Sequence, residues 1–528
     1  MRAAASKDRA AVQSAATLVP RHRLLLAIVL VYAAAFRLLV LNRPFAYDAE
    51  GSGCLNAVLA RNYLRFEWTE TRGMPILSVG PPGAAPPVRY PDHPPLVPLL
   101  IVPFYAAAGV GEWQTRLPIA LTTIAAIAML YRLAASAATP RAGVLAAAIF
   151  AATPMTLYFG GFADVVGMPL VLCALVAVDA YLRFHRAPGR GTFARFAAAF
   201  AVAALCDWPA YVLVPVLVAH FSATRPRRDW RWIGGFAVGA TALFVATYAY
   251  ITLATGYGWD WIVPLFARRS AVIGGSSVTF AQWLGAAVRI NRAHQSLPLL
   301  ACAALGLAAL ARRRAWQAQA VVPLALLLSW AALYIAIGAK ALYDHEWAWL
   351  PLTPCLALAA ASILDRAIDA ADAWHLPRAG RAAAALLVSA FAAWSAATTF
   401  GALYPGTSSE PYAPEALGAA IRAAAPEAGD VALLVGGDSR AQTWFYGDRP
   451  LRTGIWTVDD VERRRRDDTV DLMFDFDEQP FGGEAAGVVL PRRWGAELPA
   501  LREYLTARYR PVALTPAVAA SFEVFDLR

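Results

Sequence analysis

The chain has 528 residues, of which 59% are hydrophobic and 16% charged, with mean hydropathy +0.47. A soluble protein carries about a quarter charged residues, so a soluble globular domain is excluded, and repeated apolar runs near the ~20 residues of a bilayer span mark a multi-pass membrane protein. The net charge of +10 belongs, in such a protein, to cytoplasmic loops, and does not argue for a nucleic-acid partner.

Among the 47 basic residues, only Lys7 and Lys340 are lysines. Guanidinium groups suit phosphate contacts, and the same bias also follows from GC-rich coding. The five cysteines (Cys54, Cys173, Cys206, Cys302 and Cys355) contain no C-x-x-C pair, so neither a disulfide framework nor a zinc site is expected.

Arginine placement sets the expected topology. Arg2, Lys7, Arg9, Arg21 and Arg23 keep the N-terminus cytoplasmic, and the first span covers 24–41. Ala33-Ala34-Ala35 also permits a cleaved signal peptide, but apolar residues continue to full spanning length, which favours a retained span. Residues 42–113 then form a first outer loop. Within it, 51–66 reads as a helix with Leu55, Val58, Leu59, Asn62 and Tyr63 on one face. Residues 80–95 are proline-rich and extended. Residues 95–109, interrupted by Pro98 and Pro103 and too short to span, are expected at the outer interface as a juxtamembrane helix.

Further spans are expected at 114–131, 142–160 and 168–182. Two short, tilted ones follow within 193–222, broken at Asp207-Trp208-Pro209. The rest lie at 232–254, 296–311, 316–337, 349–364 and 382–400, about eleven in all. Outer loops are expected at 255–295 and 340–347. Cys54 is expected to react with a membrane-impermeant thiol reagent from outside, or at least to lie on that side. Composition becomes polar near Tyr404. Strand-like runs at 431–435, 487–490 and 522–525, with a helix at about 497–508, point to a small α/β domain at 405–528, placed outside by the odd number of spans and distinct from a membrane domain at 1–404.

The outer face collects Asp48, Glu50, Asp92, His93, Asp164, Asp207, Arg268, Arg269, Lys340, Tyr343, Asp344, His345 and Glu346, whereas the inner loops collect mostly arginine. Carboxylates and cations at an outer interface suit transfer of a group carried on a lipid phosphate. A phosphate leaving group departs unprotonated, so the chemistry needs one base and positive charge for the phosphate, whereas a glycosidase needs two carboxylates in paired roles. Each residue also has a plainer use. Asp48 and Glu50 fit the start of a helix. His93 could pin the proline arm, and Asp207 fits a turn. Arg268 and Arg269 fit lipid headgroups. Residues 343–346, with Trp259 and Trp261, fit an interfacial belt, and Arg463 to Arg466 a solvated face.

Four motifs carry a resemblance. Tyr47-Asp48-Ala49-Glu50, Ala60-Arg61-Asn62-Tyr63-Leu64, His93-Pro94-Pro95-Leu96 with Gly109 behind it, and Trp113-Gln-Thr-Arg116-Leu-Pro118 occur in order. They resemble glycosyltransferase family 39, the group of dolichyl-phosphate-mannose protein mannosyltransferases and the aminoarabinose transferase of lipid A. The resemblance covers roughly residues 40–170. It implies the GT-C fold: an α-helical polytopic membrane protein with a juxtamembrane helical layer. It implies Asp48 as the first-loop general base and Asp164 as a second acid, although Asp164 stands three residues further from Met168-Pro169-Leu170 than the family pattern has it. It also implies His93 at the lipid phosphate, and likens the segment after His345 to the family's late outer loop.

The resulting expectation is a glycosyltransferase of the bacterial plasma membrane. It moves a sugar from a polyprenyl-phosphate donor to a lipid, glycan or protein acceptor, with inversion. Asp48, Glu50 and Asp164 are the catalytic candidates. His93, Arg268, Arg269, Lys340 and His345 are the candidates for the donor phosphate, and Asp48 with Asp164 for a divalent cation, Mg or Mn. A lipid-linked sugar flippase or transporter is the alternative, favoured by ionisable residues buried mid-span. A ligase using a polyprenyl-diphosphate donor is the third.

Overall fold

A computed structural model describes residues 2–45, 50–83, 86–258, 263–264, 266–267, 270, 278–312, 321–403, 413–436, 441–471 and 479–528. Among these residues six helices are long and apolar enough to cross a bilayer: Arg21–Val40, Glu112–Ala137, Met168–Arg186, Arg227–Thr255, Glu346–Ala373 and Pro377–Ala402. Shorter apolar helices are Leu96–Ala108, Pro140–Ala152, Trp208–Thr224 and Val322–Ile337. The chain is a multi-pass helical membrane protein.

Most expected spans coincide with helices, and the departures have local causes. The span expected at 142–160 is broken, because Thr153 is extended at ψ 132 and Pro154 opens a second helix, Pro154–Phe159. The loop expected at 255–295 contains a helix, Phe280–His294, started by a Thr279/Gln282 capping box. This helix meets Leu297–Ala311 at 105°, with Ser296 at φ 71 in the corner. Residues 95–109 form the short helix Leu96–Ala108, with Pro103 inside it.

Helix Gly51–Arg65 is the centre of the first loop. Ten consecutive residues, Gly53 to Asn62, are buried, so it is covered on more faces than the single expected stripe. Asn62 donates to the carbonyls of Ile76 and Ser78 at 2.7 and 3.0 Å, fastening the extended arm to the helix. The same burial corrects the expectation for Cys54. Its side chain is wholly enclosed, and burial pushes the thiol well up, so it does not meet an aqueous reagent.

The C-terminal region contains β1 (Val431–Val435), β2 (Leu451–Ile455), β3 (Thr469–Val470), β4 (Gln479–Pro480), β5 (Ala485–Pro491), β6 (Arg510–Pro511) and β7 (Phe522–Asp526). Five of these form one sheet in the order β2-β1-β5-β7-β6. The β2-β1-β5 half is parallel and the β7 and β6 pairings are antiparallel. β1 and β5 are buried along their whole length, as a covered parallel strand requires. Helix Pro414–Ala424 lies close over β5. A Cβ at Gly487 would come within 2.4 Å of the Ala424 carbonyl oxygen, so only glycine allows that approach.

Candidate active site

Glu50 takes the N-cap position before Gly51–Arg65, yet its side chain makes no capping bond. The carboxylate turns to Arg43 at 2.7 Å and Arg116 at 3.1 Å, and all three side chains are buried. Arg116 projects from helix Glu112–Ala137 and also donates to the carbonyls of Leu41 (2.9 Å), Arg43 and Pro44 (3.3 Å). Its guanidinium stands 4.6 Å over the Phe45 ring. Two arginines thus balance one buried carboxylate and tie the exit of the first span to the next long helix. Neither arginine was assigned a role from sequence. A charge at position 116, against a long apolar run, was the available signal, because such a charge needs a buried partner.

Asp164 lies in the turn between Pro154–Phe159 and Met168–Arg186, with a relative exposure of 2%. Ser52, in the first turn of Gly51–Arg65, donates its hydroxyl to Asp164 Oδ2, and the Val166 amide donates to Oδ1 at 2.8 Å. The approach is close: a Cβ at Gly53 would lie 3.3 Å from the Ala163 nitrogen. Burial pushes the Asp164 carboxyl from 3.8 up to about 6. The Ser52 and Val166 bonds and the nearby His93 oppose that rise, and Asp207 adds to it.

His93 Nδ1 meets Asp207 Oδ1 at 2.7 Å, and both side chains are buried. Asp207 also accepts the Trp208 amide at 2.8 Å, and Trp208 Nε1 donates to the Asp92 carbonyl at 2.7 Å. The proline arm is therefore fastened to the Asp207 break by two bonds. Asp207 serves both as the turn former and as the partner that orients the imidazole.

Residues 340–347 form a second cluster. Lys340 pairs with Asp344 at 2.6 Å and lies 5.4 Å over Tyr343. The His345 ring stacks on Trp347 at 4.7 Å. Glu346 meets His294 Nε2 at 2.8 Å. His294, which sequence alone did not single out, packs against Phe159 at 5.1 Å. Phe159 packs against Phe162, which in turn faces Arg43 at 5.9 Å. An aromatic ladder thus joins the two clusters.

Asp48, Arg268 and Arg269 lie outside the described residues, as do Trp259 and Trp261. Among the described residues no three His, Cys, Asp or Glu side chains come together to hold a metal ion. The Asp164 oxygens meet Ser52 and Val166, and those of Glu50 meet arginines, while Asp48, the other expected cation ligand, lies outside the described residues.

The sequence profile described as dolichyl-phosphate-mannose-protein mannosyltransferase matches residues 92–251. No curated protein matches the chain. The fold is similar to the crystal structure of ArnT from Cupriavidus metallidurans bound to undecaprenyl phosphate, with TM-score 0.64 and 16% identity over 95% of this chain and 97% of that one. It is also similar to the oligosaccharyltransferase AglB from Archaeoglobus fulgidus in complex with an inhibitory peptide and a dolichol-phosphate, with TM-score 0.55 and 13% identity over 81% of this chain and 64% of that one. The oligosaccharyltransferase from the same archaeon in complex with Zn and sulfate matches with TM-score 0.53 and 15% identity, over 81% and 62%. The resemblance to glycosyltransferase family 39 is thus carried by sequence over residues 92–251 and by the GT-C fold over nearly the whole chain.

Proposed function

We propose that the protein is a membrane glycosyltransferase that takes a sugar from a polyprenyl-phosphate donor on the outer membrane face. It passes the sugar, with inversion at C1, to a hydroxyl or phosphate of a lipid, glycan or protein acceptor. The observation that carries this reading is the buried group Asp164, His93 and Asp207, drawn from three separate segments. Ionisable side chains are buried together at a cost to stability, and chemistry is the common reason for keeping them. The undecaprenyl phosphate bound by ArnT from Cupriavidus metallidurans, on a similar fold, supports a polyprenyl-phosphate donor.

In this mechanism Asp48 takes the acceptor proton as the acceptor oxygen attacks C1. The phosphate leaves as an anion, so no general acid is needed. His93, held by Asp207, contacts it, and Arg268 and Arg269 supply positive charge. Lys340 and His345 border the phosphate path from the late loop. Asp164, through Ser52, sets the first turn of Gly51–Arg65 against the 162–166 loop. Glu50 acts by holding Arg43 and Arg116, because its carboxylate is taken up by the two guanidinium groups. The N-terminus lies in the cytoplasm, and residues 405–528 form a separate domain outside.

The lipid fraction of a deletion strain tests this reading by mass spectrometry. Accumulated polyprenyl-phosphate sugar, cleared on complementation, supports it. An unchanged lipid pool overturns it. Transfer by detergent-solubilised protein, where no compartments exist, separates a transferase from a flippase.

A further inference from the structure

Helices Met168–Arg186 and Arg190–Cys206 follow one another in the chain and pack together. Cys173 stands in the second turn of the first, and Cys206 is the last residue of the second. Their sulfurs are 3.6 Å apart, in S–H···S contact. Cys206 is wholly enclosed and Cys173 is half-buried. Among the described residues no other two cysteine sulfurs meet in this way, and Cys355 donates instead to the Pro351 carbonyl at 3.7 Å. A buried thiol by itself is a small apolar filler. Here two thiols touch, and one of them joins directly onto Asp207. That residue meets His93 Nδ1 at 2.7 Å and accepts the Trp208 amide at 2.8 Å, so the thiol pair abuts the break that carries part of the candidate site.

A disulfide holds its sulfurs about 2.05 Å apart, so closing this pair takes about 1.5 Å of relative movement. We propose that Cys173 and Cys206 are a modification site, a reversible disulfide whose closure displaces Asp207 and lowers transfer. The half-buried Cys173 is the sulfur that an oxidant reaches first. With hydrogen peroxide, a small two-electron oxidant, the Cys173 thiolate attacks one oxygen. An S–O bond forms, the O–O bond breaks, and hydroxide leaves to take up the thiol proton as water. The Cys206 sulfur then attacks the Cys173 sulfur. The S–S bond forms, the S–O bond breaks, and hydroxide leaves with the Cys206 proton as water. Two thiols and one peroxide give one disulfide and two waters, and a dithiol reductant reverses the change. The disulfide stands independently of the proposed function, whereas its effect on transfer rests on that reading.

The test treats full-length protein in detergent with hydrogen peroxide, alkylates it under denaturing conditions and digests it for mass spectrometry. A peptide pair linked through Cys173 and Cys206, released by dithiothreitol, is expected. Both cysteines alkylated, or oxidised without the link, overturns the site. In the linked protein, hydrogen exchange at the Trp208 amide is expected to speed up as Asp207 shifts. Transfer is expected to fall about tenfold in kcat/KM and to recover on reduction. Cys173→Ala is expected to transfer like reduced wild type and to keep that rate after peroxide. Linked protein with unchanged Trp208 exchange, or with unchanged transfer, overturns the coupling to Asp207. So does Cys173→Ala that loses as much activity to peroxide as wild type. If reduced wild-type protein transfers nothing from any polyprenyl-phosphate donor, the proposed function fails, while the linked peptides and the Trp208 exchange still decide the disulfide.

Discussion

Asp164→Asn should have opposite effects on stability and on transfer. In the folded protein the Asp164 carboxyl is shifted from 3.8 to about 6 by burial. An acid whose folded value is raised is neutral in both states below pH 4. It loses stability progressively between about 4 and 6, and carries the full penalty above 6. Each pH unit of that interval is worth about 1.4 kcal/mol, so the penalty at pH 7.5 is about 3 kcal/mol. Asparagine is never charged and removes it. Its carboxamide oxygen can still accept the Val166 amide and its nitrogen can donate to Ser52 Oγ, so the offset from altered bonding is about 1 kcal/mol. The net gain at pH 7.5 is roughly 2 kcal/mol, or a rise of about 2–5 °C in the thermal midpoint of detergent-solubilised protein. At pH 4.5 the gain should vanish. Transfer should fall by about a hundredfold, because the carboxylate that fixes Ser52 is lost. Wild-type transfer should climb with pH through about 6. A variant less stable than wild type at pH 7.5, or one with full activity, would refute the reasoning.

Other outcomes follow from the same geometry. Asp48→Asn should abolish transfer while the protein still assembles in the membrane; retained activity excludes Asp48 as the base. Arg116→Met should destabilise by about 3–5 kcal/mol, since it strips Glu50 of one guanidinium and removes the donor that Arg116 gives to the carbonyls of Leu41, Arg43 and Pro44; a midpoint within a degree of wild type would contradict that role. For topology, a cysteine replacing the exposed Trp68 should label from outside intact cells, and one replacing Arg190 only after permeabilisation. The reverse pattern inverts the orientation.

What was legible in the sequence was what is local. Apolar runs marked the spans, and Pro209 beside Asp207 marked the break between two of them. Strands β1, β5 and β7 announced themselves as β-branched and aromatic runs. β2 did not, because Leu451-Arg452-Thr453-Gly454-Ile455 carries an arginine and a glycine. The fold buries Arg452 completely by giving its guanidinium backbone carbonyls, among them those of Thr469 and Gly483. Helix Phe280–His294 was missed because its polar residues read as a loop. In the site, Asp164, His93 and Asp207 were visible as residue types at loop positions, but their partners were not. Ser52 and Asp164 are 112 residues apart, and Glu50 and Arg116 are 66 apart. Only packing brings Ser52 to Asp164. Glu50 could be recognised as a helix-start acid, but nothing local showed that two arginines would claim it.

The most direct measurement is transfer by purified protein in detergent, supplied in parallel with a polyprenyl-monophosphate sugar and the corresponding diphosphate. Turnover of the monophosphate donor alone, with an inverted anomer in the product and none with Asp48→Asn, is the predicted result. Turnover of the diphosphate alone, or of neither, would contradict the account.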